Sequence, residues 1–350
     1  MSGHHQNGTH ALTYLVTGAA GFIGYHLCRR LLEAGHEVTG FDGMTEYYDP
    51  RLKRGRLAQL QGFEGFTFVQ GMLEEAETLK SLVADTRPDV VVHLAAQAGV
   101  RYSIEHPQSY ISSNLVGTAN LLEALRATPP RHLLFASTSS VYGGNEKVPF
   151  AEIDRADGPV SLYAATKKAG EAMTHSYAHL WSIPTTCFRF FTVYGPWGRP
   201  DMAPIKFASA IDEGRPIDIY GQGKMQRDFT YVDDLVDAVI RLADRPPIMG
   251  EKVSAQDSLS SVAPWRSVNI AGGRMVELMD FIETLEAALG KKAIRNFLPM
   301  QPGDVVRTQA DSSLLMALVG AIPQTDISVG VPAFVDWYRK VYAPMGLAPF

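Results

Sequence analysis

The chain has 350 residues, 46% of them apolar and 20% charged, with a formal net charge of −5. That is long enough for a sizeable core, in two domains or one large one, and the composition is ordinary for a globular protein. The mildly acidic balance argues against a protein that binds nucleic acid or anionic membrane through its whole surface, while leaving room for a local basic pocket.

The only cysteines, Cys28 and Cys187, fall in a helix-like and a strand-like segment. A disulfide framework is therefore not expected, and a reducing cytoplasm fits. No apolar run reaches membrane-spanning length, so no membrane association is expected. Residues 1–10 lack the apolar stretch of a signal peptide and read as a disordered polar tail; His4, His5 and His10 there are not taken as a metal site.

Residues 12–17 are short, apolar and rich in β-formers, a buried strand. Gly18, Gly21 and Gly24 follow at once in the spacing Gly-x-x-Gly-x-x-Gly, and a helical pattern runs from 25 to 34. Strand, glycine turn and helix together make a dinucleotide cradle: helix-terminal N–H groups hold a pyrophosphate and glycines allow its close approach. A second strand over 36–41 ends at Asp42, close to the expected spacing for a carboxylate that bonds an adenosine ribose diol. A carboxylate there repels a 2′-phosphate, so NAD is expected rather than NADP.

A third strand is predicted near 66–69, a helix over 74–84, and a fourth strand over 89–96 that runs into small residues, where Leu94, Ala95 and Ala96 let a cofactor lie against the backbone. His93, on this apolar strand, reads as a satisfied core histidine. A long helix over 109–127 closes at Pro129-Pro130, and a fifth strand over 131–136 ends in the hydroxyl cluster Ser137, Thr138, Ser139 and Ser140, facing the crevice where open α/β sheets bind ligands. The next helix, running to about 181, carries Tyr163 and Lys167 on one face. An ammonium beside a phenol favours the phenolate, so the pair is expected to lower the tyrosine pKa and make a base for a sugar hydroxyl.

A sixth strand over 184–191 completes an α/β, doubly wound, mostly parallel sheet. Past Thr192 the texture changes to a proline- and glycine-rich loop, 193–202, read as entry into a second, smaller lobe. Arg199, Arg227 and Arg307 bring planar cationic forks suited to phosphate and carboxylate. A helix over 232–243 and a strand over 267–270 return to the first lobe, with a flexible insertion expected between them at 246–263. The last clear helices are predicted over 275–289 and 329–342.

These motifs resemble the extended short-chain dehydrogenase/reductase family. They are the glycine turn, the Ser/Thr cluster before Val141-Tyr142-Gly143, and Tyr163-x-x-x-Lys167. Within the family the stretches 95–103, 161–168, 189–202 and 226–231 are similar to bacterial UDP-glucuronate 4-epimerases. The resemblance implies a Rossmann-like NAD-binding domain over 11–192 and 228–272 and a UDP-sugar lobe over 193–227 and 273–346. It implies a pyrophosphate seat at Gly18, Gly21, Phe22, Ile23 and Gly24, with Asp42 on the adenosine ribose. Tyr163 is then the base, Lys167 also bonds the nicotinamide ribose, and Thr138 bonds the substrate 4-hydroxyl. Ser139, Ser140, Thr192 and Arg199 fall near the uronate carboxylate, Arg227 and Arg307 on the diphosphate, and Arg101 among the substrate contacts. Met72 departs from the acid many relatives place beside the adenine. The implied activity is interconversion of UDP-glucuronate and UDP-galacturonate by a homodimer supplying nucleotide sugars for surface polysaccharide.

Rival expectations are a UDP-glucuronate decarboxylase, a 4-epimerase of another UDP-hexose, and a non-catalytic NAD-binding module on the same fold. Related decarboxylases and dehydratases usually carry Glu where this chain has Ser140. The intact Tyr163, Lys167 and Thr138 argue against the non-catalytic module.

Overall fold

Buried strands and amphipathic helices alternate along most of the chain, and that alternation sets the architecture. The computed structural model describes residues 11–300, 307–347 and 350; the expected N-terminal tail lies outside them. β1 (Thr13–Thr17) leads into α1 (Phe22–Glu33), β2 (Glu37–Asp42), α2 (Pro50–Leu60), β3 (Phe66–Gln70), α3 (Ala76–Thr86) and β4 (Val90–His93). Two short helices, α4 (Tyr102–Glu105) and α5 (Pro107–Tyr110), a wide π turn (Ile111–Val116) and α6 (Gly117–Ala127) bring the chain to β5 (His132–Thr138). Then come α7 (Leu162–Trp181), β6 (Thr185–Phe190), β7 (Thr192–Tyr194), α8 (Ala203–Asp212), β8 (Pro216–Ile219), β9 (Gln226–Tyr231), α9 (Val232–Ala243) and β10 (Trp265–Ile270). The chain continues through β11 (Met275–Glu277), α10 (Leu278–Leu289), β12 (Ile294–Phe297), α11 (Ser313–Val319) and α12 (Ile327–Trp337).

Seven strands pair in the order β3-β2-β1-β4-β5-β6-β10, all parallel. Side chains alternate across a strand, so each face of the sheet acquires its own core. Tyr14, Val16, Val90, Val92, Leu134 and Phe188 pack with Leu27 and Leu31 of α1 and Leu235 and Val239 of α9. Leu15, Val91 and Leu133 pack with Leu79 and Val83 of α3 and Leu121 and Leu125 of α6. Covered on both faces, β4 is buried along its whole length, as parallel strands require. The strand order reverses between β1 and β4, and that switch point opens a crevice at the carboxyl ends of the strands.

β7, β9 and β11 form a separate three-stranded sheet, and β8 pairs with β12. The first core continues without a break into Ile205, Phe207, Ile217, Phe281, Leu285 and Phe334.

Several boundaries differ from expectation. α1 begins at Phe22, because the glycine turn itself supplies its start. The helix expected from 109 starts at Pro107 and is broken by the π turn. Met275–Glu277, read as helix, is a strand drawn into pairing with β9. Thr192–Tyr194, at the start of the expected loop, is also a strand beside β9. The segment 246–263 is not a loose insertion. Buried Asp257 accepts from the Val253 and Leu259 amides and lies 3.4 Å from Arg266, while Ser258 bonds the Ser267 backbone in both directions. Polar side chains that resemble a solvated loop here satisfy the sheet's edge strand.

Candidate active site

The crevice at the switch point is the mouth of a cleft of about 1430 Å³, open solvent included. Gly18, at the end of β1, has φ +74°, a left-handed conformation open to glycine. A Cβ on Gly18 would lie 2.8 Å from the Ala95 nitrogen, and one on Gly24 would lie 2.0 Å from the Gly18 carbonyl oxygen. The turn is thus closed down onto the end of β4 and the first turn of α1. Gly21, the N-cap of α1, supplies no side-chain cap, so the leading N–H groups of Phe22, Ile23 and Gly24 are left for an anion. Asp42, buried at the end of β2, accepts from the Ala20 amide at 3.1 Å and the Met44 amide at 2.8 Å. These two bonds fix the orientation of the Asp42 carboxylate at the edge of the cleft. Leu94, Ala95, Ala96 and Met72 complete this end of the cleft. The cradle fits NAD: a bare helix start for the pyrophosphate, an oriented acid for the ribose, and small residues beneath.

The other end of the same cleft is lined by Thr138, Tyr163, Lys167, Phe190, Phe191, Arg199 and Met202. Ser161 caps α7 by accepting from the Ala164 amide at 3.1 Å, which places Tyr163 in the first turn and Lys167 one turn later. Thr138 terminates β5 and its hydroxyl points to Ser140 Oγ at 3.3 Å. Sheet and helix therefore deliver the three groups from two separate elements.

The electrostatics differ from expectation at Tyr163. Burial pushes its phenol above the ordinary tyrosine value, opposed by the charge of Arg199 and then by the Thr138 hydroxyl. Lys167 is itself buried, its Nζ 4.9 Å from the Phe135 ring centroid, and burial brings its ammonium down to about 8. Desolvation at the cleft floor outweighs the local charge pairing that helical spacing alone suggests. His93 is the core histidine expected: it bonds Thr17 Oγ1 at 2.8 Å and burial holds it neutral, down to about 3.

The remaining predicted substrate residues are not among the residues lining the cleft. Ser139 and Ser140 form the turn after Thr138, and Thr192 sits between Phe191 and Val193, both in the lining. Arg101 stacks on the Tyr220 ring at 4.8 Å. Arg307 pairs across to Gln226, next to Arg227.

Sequence reasoning missed Arg56 and Asp201. Arg56 is wholly buried and donates to the Ala20 carbonyl at 3.0 Å, the Tyr48 hydroxyl at 2.7 Å, the Trp197 carbonyl at 2.6 Å and the Gly198 carbonyl at 3.0 Å. It ties the dinucleotide turn to the loop that carries Arg199. α2, which presents it, opens on Asp49 with Pro50 at the first helical position, a start signal the sequence carries. Nothing local marks Asp201, whose carboxylate meets the Arg199 fork at 3.0 and 2.5 Å.

The sequence profile of the NAD dependent epimerase/dehydratase family matches residues 14–252. The chain is 58% identical to the probable UDP-glucuronate 4-epimerase of Rhizobium meliloti (strain 1021), over 95% of this chain and 98% of that one. It is 45% identical to UDP-glucuronate 4-epimerase 1 of Arabidopsis thaliana, over 97% of this chain and 79% of the plant protein. Among solved structures, UDP-glucuronic acid 4-epimerase from Bacillus cereus in complex with UDP-glucuronic acid and NAD superposes with a TM-score of 0.84 at 35% identity, covering 95% of this chain and all of the other. Glycine cradle, Tyr163 and Lys167 on α7, and sequence similarity along nearly the whole length converge: this chain belongs to the NAD-dependent epimerase/dehydratase family.

Proposed function

We propose that this protein is an NAD-dependent UDP-glucuronate 4-epimerase that interconverts UDP-glucuronate and UDP-galacturonate. The observation that carries this reading is the meeting, in one cleft, of the dinucleotide cradle with Thr138, Tyr163, Lys167 and Arg199. Gly18, Gly21, Phe22, Ile23, Gly24, Asp42 and Leu94–Ala96 hold the cofactor, and NAD bound there supplies a reversible hydride acceptor for sugar carbon 4.

Tyr163 takes the proton from the 4-hydroxyl as the 4-keto sugar forms and gives it back on the return. Thr138 orients that oxygen, and Lys167 supplies positive charge beneath. The sugar turns over about its diphosphate link between the two half-reactions, while Arg227 and Arg307 anchor the nucleotide. Arg199, with Thr192, Ser139 and Ser140, holds the carboxylate near the ring plane. In that orientation the bond to carbon 6 cannot overlap the ketone, and the β-keto acid keeps its CO₂. Among the described residues lining the cleft, the only carboxylic acids are Asp42 and Glu74, both at the cofactor end. The reaction end therefore offers no carboxylic acid to protonate carbon 5, which favours epimerase over decarboxylase.

Proton NMR of UDP-glucuronate incubated with the purified protein, without added NAD, tests substrate, reaction and cofactor retention together. UDP-galacturonate is the expected product; a UDP-pentose as the main product overturns the reading.

The working form on this reading is a homodimer joined through α6 and α7, beside which Val116 and Leu180 leave apolar surface exposed at 46% and 62%. A light-scattering mass of one chain at working concentration contradicts it. Cytoplasmic residence accords with two buried, unbridged cysteines and a nucleotide-sugar substrate.

A further inference from the structure

We infer that Asp201 is a positioning residue for the sugar carboxylate: it locks the plane of Arg199 and so suppresses decarboxylation of the 4-keto intermediate. The inference rests on the proposal above that Arg199 meets the uronate.

Arg199 lines the cleft and Asp201 does not; Asp201 stands behind the guanidinium, its side chain only 10% exposed against 23% for Arg199. Two of the three guanidinium nitrogens are already bound: Nε to Asp201 Oδ1 at 3.0 Å and Nη2 to Oδ2 at 2.5 Å. Such a bidentate pair fixes the plane of the fork as well as its position. The third nitrogen, Nη1, takes no part in this pair and is the one turned to a ligand. The carboxylate of Asp201 is itself held by a third donor, the Tyr47 hydroxyl at 3.2 Å. Tyr47 is held in turn, its ring 4.8 Å from that of Tyr102 and its oxygen 2.8 Å from where a Cβ on Gly99 would fall. Burial pushes the Asp201 carboxyl up, and the charge and hydrogen bonds of Arg199 more than offset that, so it stays ionised.

A carboxylate gripped by a guanidinium of fixed plane keeps one orientation relative to the ring. If the fork swings, the carbon 5–carbon 6 bond can rise out of the ring plane and align with the ketone. That bond then breaks, its electron pair moves onto the ketone as an enolate, CO₂ leaves, and carbon 5 takes a proton from water. The oxidation that makes the ketone is the one the epimerase already performs on its own NAD.

The test is Asp201→Asn. The amide keeps one acceptor oxygen but turns an NH₂ toward Nη2, so one leg of the fork is lost. With UDP-glucuronate labelled at carbon 6, the ratio of released CO₂ to UDP-galacturonate should rise roughly tenfold, the scale of losing one charge-assisted hydrogen bond, with bound NAD per chain unchanged. A lower rate of epimerisation at an unchanged ratio means Asp201 is only a structural support, and the inference fails. Arg199→Lys, run alongside, separates the two levels. If it leaks CO₂ and Asp201→Asn does not, this inference falls and the role of Arg199 stands; if neither leaks, both fall. Should Asp201→Asn not fold, Tyr47→Phe removes the third contact to the same carboxylate and must raise the same ratio, and an unchanged ratio there also overturns the inference.

Discussion

Replacing Glu171 with Gln should destabilise the protein and loosen the floor of the reaction centre. Glu171 sits on α7, one turn beyond Lys167, with its side chain 1% exposed. Its Oε1 accepts from Ser137 Oγ at 2.6 Å and Arg189 Nε at 2.9 Å, and its Oε2 from Arg189 Nη2 at 2.9 Å and Lys168 Nζ at 3.0 Å. One carboxylate thus joins β5, β6 and α7, the elements that deliver Thr138, Phe190 and Tyr163. Burial works to raise its carboxyl, but Arg189 above all, then Lys168 and Ser137, bring it down to about 2. Against an ordinary value of 4.5, that difference corresponds to about 3 kcal/mol of stability at neutral pH. Breaking one partner of a buried ion pair costs about 3–5 kcal/mol by the general rule. The sign follows from a depressed folded-state value: the contribution is present above pH 4.5 and drains away as pH falls toward 2. Urea unfolding of Glu171→Gln beside the parent at pH 7 should show this loss, and the gap should narrow below pH 4.5. A variant within about 0.5 kcal/mol of the parent at pH 7, the range of ordinary surface substitutions, would refute the reasoning.

Tyr163→Phe should lower turnover by at least about a hundredfold, the usual worth of a positioned proton-transfer group, with bound NAD retained; near-parental activity removes Tyr163 as the base. Gly24→Ala drives a methyl to 2.0 Å from the Gly18 carbonyl, so the turn must open and the protein should purify with little NAD, read from the absorbance of the cofactor released on denaturation. A full complement of NAD in that variant would mean the turn is not the pyrophosphate seat. Burial brings His132 down to about 4, below its unfolded value, so the unfolded chain takes the proton first and stability falls as pH drops from 6.5. Its share is about 2 kcal/mol between pH 6.5 and 5. That share is to be measured as the difference between His132→Gln and the parent, so that Glu152 and Asp228, whose carboxyls burial raises to about 7 and 6, drop out. A pH-independent difference would show that His132 is not held neutral.

The strand, glycine turn and helix of the candidate cradle were legible because they are adjacent in sequence: β1, Gly18, Gly21, Gly24 and α1 form one continuous stretch, and Asp42 ends the very next strand. Helical spacing likewise put Tyr163 and Lys167 on one face. The same local logic failed on Tyr163's electrostatics, because burial on the folded cleft floor pushes the phenol up, and the charge that opposes it, Arg199, arrives from another part of the chain. It failed again at 275–277, where pairing with β9 overrides the helical reading.

Periodicity and turn chemistry act over a few residues, so the amino-acid sequence by itself determined the alternation of strands and helices, the glycine cradle, and the place of the tyrosine–lysine pair. Only the tertiary structure decided that Arg56 would reach 141 positions along the chain to the Trp197 carbonyl, that Tyr47 would reach 154 positions to back Asp201, and that Ser137, Glu171 and Arg189 would meet. Such contacts depend on burial and on the crossing of distant elements, for which short-range pattern carries no signal.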